Sequence, residues 1–299
     1  MKTGIQGTQL RRAVAVTVTS GAMLAAAAFS AAPAQAAVAK PSIVAQGGYV
    51  MNNANGKTLH SKNADVKRST GSTTKIMTAK VVLAQPNLNL DAKVTVQKAY
   101  SDYIVANTAS SARLIVGDKV TVRQLLYGLM LPSGCDAAYA LADKFGSGST
   151  RAARVKSFIG KMNTTAGQLG MTNTKFDSFD GISNGSNYST PRDLTKLASN
   201  AMKNNTFRAL VKTKSTKQKV TTKSGGYRYY TWTNTNTLLS NYSGAIGVKT
   251  GSGAQAKYCL VFAATRGGKT VIGTVLTSTS AAQREKDAKK LLDYGFAVI

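Results

Sequence analysis

The chain has 299 residues, 43% of them hydrophobic, with one His, two Cys and a formal net charge of +27. A zinc site needs three or four Cys, His or carboxylate ligands at short spacing, and His60, Cys135 and Cys259 lie far apart, so no metal site is expected. A Ser-His-Asp triad would have to use His60, which lies in a hairpin-like stretch. Any catalytic base is therefore expected to be a residue other than histidine.

The first 36 residues have the pattern of a secretory signal peptide. Basic residues precede an apolar run over residues 13–29, and Ala34-Gln35-Ala36 matches a small-x-small cleavage site. The apolar run is short and rich in Ala and Thr, which favours cleavage over the alternative of a retained membrane anchor. Cleavage would leave one large domain over residues 37–299, with 263 residues and a net charge of +24, outside the cytoplasm.

A hairpin and a helix are predicted at the start of this domain. Residues 43–50 and 57–61 are β-like runs, and the Asn-rich and Gly-containing segment 52–56 between them is typical of a hairpin turn. Residues 69–72 supply N-cap side chains, and apolar residues then recur at helical spacing until Gln85-Pro86 ends the run.

Helices and loops are predicted for most of the middle of the chain. The helical pattern of residues 122–144 is broken at Pro132-Ser133-Gly134, which makes this break a candidate site. A second helix start is predicted where Thr190 is the N-cap, Pro191 takes the first helical position and Asp193 is the acidic third residue.

Three β-like runs and a closing helix end the chain: residues 244–250, 258–265, 270–277 and 281–294. Strands at both ends with helices between them predict an α/β (α+β) fold. Its single sheet is expected from about residues 40–87 and 241–299, with an inserted, mostly helical lobe over about residues 88–240.

Three short segments carry the candidate chemistry: Ser72-Thr73-Thr74-Lys75, Ser133-Gly134-Cys135 and Lys249-Thr250-Gly251. Residues three apart on a helix lie on the same face, about 5–6 Å apart at Cβ, so Lys75 can reach the hydroxyl of Ser72. The helix dipole favours a developing alkoxide, and a lysine beside that dipole and a second lysine loses its proton more easily. A neutral Lys75 would then be the base that activates Ser72.

The order and wide separation of these segments resemble the penicillin-recognising serine acyltransferases and class A β-lactamases. A closer resemblance, covering nearly all of residues 43–299, is to the D-alanyl-D-alanine carboxypeptidase family of penicillin-binding proteins. Its matching stretches are residues 68–79, 131–138, 188–193 and 249–251. The resemblance implies a β-lactamase-like, DD-peptidase fold, with a five-stranded antiparallel sheet flanked by helices beside a helical lobe. The resemblance also implies that residues 37–299 form a catalytic domain.

The resemblance implies the catalytic roles. Ser72 is expected to attack the peptide carbonyl between two D-alanines, Lys75 to take its proton, and Ser133 to relay a proton to the departing D-alanine. The donor would be a peptidoglycan stem peptide, the acceptor an amine or water, and β-lactams would acylate the same serine. Among acceptors, the resemblance favours an amine and hence transpeptidation. No cofactor is expected.

The resemblance also implies the substrate-binding residues. Lys249 and Thr250 are expected to hold the free carboxylate of the terminal D-alanine, a task suited to a fixed cation and a hydroxyl. The oxyanion would lie between the backbone N–H groups of Ser72 and Ser252. Gly251 is expected to let the substrate backbone lie flat along the strand.

Cys135 departs from the family pattern, in which most members have Asn at this position. Because a thiol is a weak donor, acylation is expected to be slower than in an Asn-bearing relative, and the acylation rate of Cys135→Asn tests this hypothesis. The nearby lysines are expected to lower the pKa of Cys135 and make it reactive. Cys259 lies in a predicted buried strand, so the two cysteines are expected to be free thiols.

Two alternative functions remain open. A β-lactamase would need a further carboxylate to activate water, but the middle lobe has no Glu-x-x-x-Asn segment, and Asp177 and Asp180 have the sequence context of a turn. The second alternative is a non-catalytic basic wall-binding protein. The charge suggests an anionic envelope surface, either membrane head groups or phosphate-rich wall polymers, with nucleic acid not expected as a partner. A monomer is expected.

Overall fold

The structure is a computed structural model that describes residues 38–299 and the isolated residues 13 and 15. Apart from these two isolated residues, the predicted signal peptide and its cleavage site lie outside the described residues. Within the described part of the chain, no helix combines the length and apolar character needed to cross a bilayer.

The first sheet has five strands that come from both ends of the described chain: β1 (Gly47–Asn52), β2 (Thr58–Lys62), β7 (Ala245–Gly253), β8 (Lys257–Arg266) and β9 (Lys269–Ser278). The strand order is β2-β1-β9-β8-β7, and every neighbouring pair is antiparallel. The predicted five-stranded antiparallel sheet is therefore confirmed. Each of its predicted strands lies within a few residues of its observed bounds.

The described residues form nine α-helices: α1 (Lys75–Leu83), α2 (Lys98–Ala106), α3 (Val122–Met130), α4 (Cys135–Phe145), α5 (Arg151–Gln168), α6 (Pro191–Ala201), α7 (Asn205–Lys212), α8 (Leu238–Asn241) and α9 (Ala281–Ala297). The predicted start of α6 is confirmed, because the hydroxyl of Thr190 accepts a hydrogen bond from the backbone N–H of Asp193 at 3.1 Å. The break at residues 131–134 separates α3 from α4, as predicted.

Both faces of the first sheet are buried, and alternate residues of its strands enter different apolar clusters. In β8, Leu260 and Phe262 pack with Leu291 of α9, whereas Val261 and Ala263 belong to the larger cluster formed with the inner helices. This alternation is the two-residue period of a strand covered on both sides. The central strands are therefore fixed from both sides, and their ends hold side chains at defined positions.

A second sheet, in the middle of the chain, differs from the prediction. It has the order β3-β4-β5-β6, with strands β3 (Lys93–Thr95), β4 (Lys119–Thr121), β5 (Ser215–Thr221) and β6 (Tyr227–Thr233). The prediction of helix and loop for these residues was wrong because β3 and β4 are three residues long and the only apolar residue of β5 is Val220. A strand with so few apolar residues gives little period-two signal.

Candidate active site

The proposed nucleophile lies in a 3₁₀ turn, Gly71–Thr74, that leads directly into α1. Side chains three residues apart are aligned in a 3₁₀ helix, so Ser72 and the first residue of α1, Lys75, face each other. The Nζ atom of Lys75 lies 2.8 Å from Ser72 Oγ and donates a hydrogen bond to it. The predicted contact is present, although a 3₁₀ turn rather than an α-helix produces it.

Lys75 is fully buried, and its amine is held by three acceptors. Besides the Ser72 hydroxyl, these are the backbone carbonyl of Asp180 at 3.1 Å and the Sγ atom of Cys135 at 3.3 Å. The acceptors come from three separate parts of the chain, so the position of the amine depends on all of them. The amine is thus fixed beside the hydroxyl before any substrate binds.

The turn between α3 and α4 holds Ser133 in an unusual state. Its backbone has a φ of 66°, which is rare for a residue with a side chain, and its Oγ atom is buried with no hydrogen-bond partner among the described residues. Strained backbone and unpaired buried groups occur together at functional sites. Ser110 helps to hold the turn, because its hydroxyl donates to the Ser133 carbonyl at 2.6 Å and its own carbonyl accepts from the N–H of Cys135 at 2.8 Å.

The carboxylate of Asp136 connects this turn to the neighbouring loop. It accepts hydrogen bonds from the backbone N–H groups of Ala112 and Leu114 and from the Ser111 hydroxyl, at 2.8, 3.1 and 2.7 Å. Asp136 is buried, and these donors supply most of its hydrogen bonds. Sequence reasoning did not select Asp136 or Ser110, because a single Asp or Ser has no spacing signal of its own.

Lys249 and Thr250 lie side by side on β7 and are both buried. The Nζ atom of Lys249 donates to the Thr250 carbonyl at 3.0 Å, the one acceptor found for it in the described structure. Burial, and then the positive charge of Lys75, hold the pKa of Lys249 well below its ordinary value. The Thr250 hydroxyl lies 2.6 Å from that of Thr235, which the sequence analysis missed.

Gly251 has a structural role that the sequence analysis did not predict. A Cβ atom at this position would lie 2.7 Å from the carbonyl oxygen of Thr70 and 3.0 Å from the backbone nitrogen of Thr73. The absence of a side chain therefore lets β7 approach the 3₁₀ turn that carries Ser72. On the carbonyl side, Arg284 of α9 donates to Gly251 O at 3.1 Å, a contact that the sequence pattern did not indicate.

The loop 176–187 closes the site behind Lys75. Asp180 supplies the carbonyl that holds Lys75, and its carboxylate accepts from the Tyr103 hydroxyl at 3.0 Å and the N–H of Ile182 at 2.9 Å. Asp177 accepts from the backbone N–H groups at positions 184 and 186. The interpretation of both aspartates as turn residues is confirmed, because each carboxylate accepts from backbone N–H groups of its own loop, and Asp180 is held in addition by Tyr103 of α2.

The thiols are free and buried, as predicted, but the predicted lowering of the Cys135 pKa was wrong. Burial raises the pKa of the Cys135 thiol, the carboxylate of Asp180 raises it further, and the positive charge of Lys75 does not overcome these effects. Sequence reasoning counted the neighbouring charge and not the loss of solvent. Burial also raises the pKa of Cys259 to about 11.

A pocket of about 590 Å³ opens above Ser72. Its walls come from the 3₁₀ turn, the segment after α2, the loop 176–187 and the end of β7: Ser69, Ser72, Ser110, Cys135, Gly181, Ser252 and Gln255 among others. The pocket therefore joins two of the three predicted segments, through Ser72 and Cys135, at a serine whose hydroxyl contacts a buried amine. The third segment, residues 249–251, lies on β7 just before the lining residue Ser252 and is not itself part of the lining. Such an arrangement fits acyl transfer through a serine ester.

Comparisons with known proteins identify the family of the chain. The model of the family described as D-alanyl-D-alanine carboxypeptidase matches residues 34–280. A D-alanyl-D-alanine carboxypeptidase of Streptomyces sp. strain K15 is 73% identical over 291 residues, which are 97% of this chain and 100% of that protein.

Solved structures give the same result. The crystal structure of the Streptomyces K15 DD-transpeptidase is 77% identical, with a TM-score of 0.87, and the match covers 87% of this chain and 100% of that one. A penicillin-binding protein homologue from Mycobacterium tuberculosis is 30% identical, with a TM-score of 0.74 and coverages of 88% and 95%. The resemblance inferred from the sequence motifs is confirmed.

Proposed function

The chain belongs to the D-alanyl-D-alanine carboxypeptidase family, and we propose that Ser72 is the nucleophile of this serine peptidase. The observation that carries the proposal is the 2.8 Å separation between Ser72 Oγ and the amine of Lys75. A serine hydroxyl is a weak nucleophile unless an adjacent base accepts its proton. The Asp180 carbonyl and the Cys135 sulfur hold two positions of the Lys75 nitrogen, so a neutral Lys75 can turn its lone pair to the Ser72 hydroxyl and accept its proton.

In the acylation step, Ser72 Oγ attacks the carbonyl carbon between the two D-alanines of a peptidoglycan stem peptide. Its proton passes to Lys75, an ester bond to Ser72 forms, and the peptide bond to the terminal D-alanine breaks. The leaving amine takes up a proton, which we assign to relay through the Ser133 hydroxyl. A buried hydroxyl without a partner is free to donate and to accept in such a relay.

The terminal carboxylate of the substrate is assigned to Lys249 and Thr250. Lys249 has two donor positions left after its bond to the Thr250 carbonyl, and an incoming carboxylate supplies the counter-charge that the buried amine lacks. Thr235 positions the hydroxyl of Thr250 for this contact. The backbone N–H groups of Ser72 and Ser252 are assigned to the oxyanion, and Cys135 to the wall beside the scissile amide.

The acyl group on Ser72 then goes to an amine, which forms a cross-link, or to water, which completes carboxypeptidase action. We assign transpeptidation as the main outcome, and β-lactams as acylating inhibitors of the same serine. The lack of a Glu-x-x-x-Asn segment in the middle lobe argues against the β-lactamase alternative, which needs a further carboxylate to activate water. The intact site argues against a non-catalytic wall-binding protein.

The substrate also indicates where the enzyme acts. Peptidoglycan stem peptides lie outside the cytoplasmic membrane, which suits the secretory pattern of the first residues. We propose an extracytoplasmic enzyme of the cell envelope that acts as a monomer and is peripheral to the outer face of the membrane. The assigned catalytic residues Ser72, Lys75 and Ser133 all belong to one chain, which supports a monomer as the catalytic unit.

Intact-mass spectrometry after incubation with penicillin tests the proposal. The wild type is expected to gain one penicillin mass and to hold it, whereas Ser72→Ala gains none. Ser69→Ala is the matched control, because Ser69 lines the same pocket three residues earlier. Rapid loss of the adduct from the wild type would favour the β-lactamase, and an adduct on Ser72→Ala would contradict the assignment of the nucleophile.

A further inference from the structure

The second sheet has one face turned to solvent. Exposed and covered residues alternate along β5 and β6, and apolar side chains such as Val220 and Trp232 point inward. Residues paired in register point to the same face, and this register pairs Lys93 with Thr121, Lys119 with Thr221, and Lys219 with Tyr229. The outward positions of all four strands therefore form one continuous surface, which we call the outer face.

The outer face is basic and hydroxylic. It carries four lysines, Lys93, Lys119, Lys217 and Lys219, and two tyrosines, and its other outward positions are Ser or Thr. None of these described outward positions holds an acidic residue. A cluster of cations without local counter-charges attracts an anionic partner.

The two tyrosines make cation–π contacts with lysine ammonium groups. Tyr227 and Tyr229 are 62% and 49% exposed, and the amines of Lys219 and Lys217 lie 4.0 and 4.5 Å from the respective ring centroids. A cation above an aromatic face is attracted to it and held there. One lysine ammonium group thus lies over each ring, and the charges are fixed at the surface.

The composition of the outer face also bears on the kind of anion. No aliphatic side chain stands at its described outward positions, so it offers nothing to insert among lipid chains. Ammonium and hydroxyl groups in rows along strands are instead suited to phosphate oxygens. We propose that the outer face binds a hydrophilic phosphodiester polymer of the cell envelope and holds the enzyme beside the wall. This binding is separate from the acyl-transfer site.

The test measures binding of a synthetic poly(glycerol phosphate) oligomer by fluorescence anisotropy at several salt concentrations. The wild type is expected to bind it with an affinity that falls as salt rises. Substitution of all four outer-face lysines by Gln is expected to weaken binding roughly tenfold or more. The control variant Lys57→Gln, Lys156→Gln, Lys203→Gln and Lys286→Gln has the same net charge and is expected to stay within about twofold of the wild type.

Penicillin acylation of each variant reports that the fold is intact. The half variants Lys93→Gln with Lys119→Gln, and Lys217→Gln with Lys219→Gln, are each expected to lose part of the affinity, which keeps the test valid if the fourfold variant fails to fold. Equal losses in the outer-face and control variants would overturn the proposal, because net charge alone would explain them. Tighter binding of phosphatidylglycerol vesicles than of the oligomer would overturn it in favour of a membrane surface.

Discussion

At the level of single residues, Lys249 combines two opposed properties: it is 1% exposed, yet it is assigned to bind an anion. Replacing Lys249 by Met keeps the volume and removes the buried amine. Penicillin acylation is expected to slow by about 10²–10³-fold, since truncating one partner of a buried charge pair costs about 2–5 kcal/mol. The free energy of unfolding is expected to stay level or to rise. A strongly destabilised variant, or one acylated at the wild-type rate, would contradict this assignment.

The pH dependence of stability follows from the same residue. Because the pKa of Lys249 is lower in the folded state than its ordinary value of 10.5, the unfolded chain binds more protons between the two values. The contribution of Lys249 therefore becomes more favourable as the pH rises through this window, and it levels off above 10.5. Urea titrations at several alkaline pH values are expected to show a shallower rise for Lys249→Met than for the wild type.

Cys135 is expected to behave as a slow thiol. The reactive species is the thiolate, and burial raises the pKa of this thiol, so its alkylation rate by iodoacetamide should increase about tenfold per pH unit through the neutral and mildly alkaline range. Mass spectrometry of Cys259→Ala isolates the reaction at Cys135, and Cys135→Ala is the control for the other thiol. Fast alkylation that does not change between neutral and alkaline pH would show a lowered pKa and contradict this expectation.

At the level of elements, the site depends on the close approach of β7 to the 3₁₀ turn Gly71–Thr74. A methyl group at Gly251 would lie 2.7 Å from the backbone oxygen of Thr70, so Gly251→Ala must push the two elements apart. A misplacement of about 1 Å can cost about 10²-fold in rate, and penicillin acylation is expected to fall by about that factor.

Gly253→Ala is the matched control for this change. It lies on the same strand two residues later, and its added methyl group would meet nothing closer than 3.9 Å. Its acylation rate and thermal midpoint are expected to match the wild type. Equal rates in both variants would show that the approach of β7 to the turn does not position Ser72.

The sequence predicted those elements whose own residues contain the signal. The strands of the first sheet are long and apolar, and the start of α6 has a complete capping pattern from Thr190 to Asp193, so both were found. Strands β3, β4 and β5 were missed because they are short or contain one apolar residue. Strand β6, with alternating aromatic residues, did contain a strand signal that the prediction overlooked. Contacts such as that between Thr235 and Thr250 depend on the tertiary fold, so no local sequence pattern predicts them.

At the level of the whole molecule, Asp287 of α9 joins the two ends of the folded chain. Its buried carboxylate accepts hydrogen bonds from the backbone N–H groups of Val44 and Ala45, at 3.1 and 2.7 Å. The Gln283 amide, at 2.8 Å, and the Ser278 hydroxyl, at 3.4 Å, complete its surroundings. The segment before β1 is therefore attached to the closing helix through one side chain.

Replacing Asp287 by Ala leaves two backbone N–H groups without an acceptor, and each such group costs about 1–3 kcal/mol. The free energy of unfolding is expected to fall by about 2–5 kcal/mol, which lowers the thermal midpoint by roughly 5–15 °C in a protein of this size.

Asp293→Ala is the control, because Asp293 lies on the same helix with its side chain 63% exposed, and its midpoint should stay close to the wild type. Penicillin acylation at low temperature should persist in both variants, since Asp287 contacts none of the assigned site residues. Equal midpoints for the two variants would show that the chain ends are held together by the apolar packing of α9 on the first sheet and not by this carboxylate.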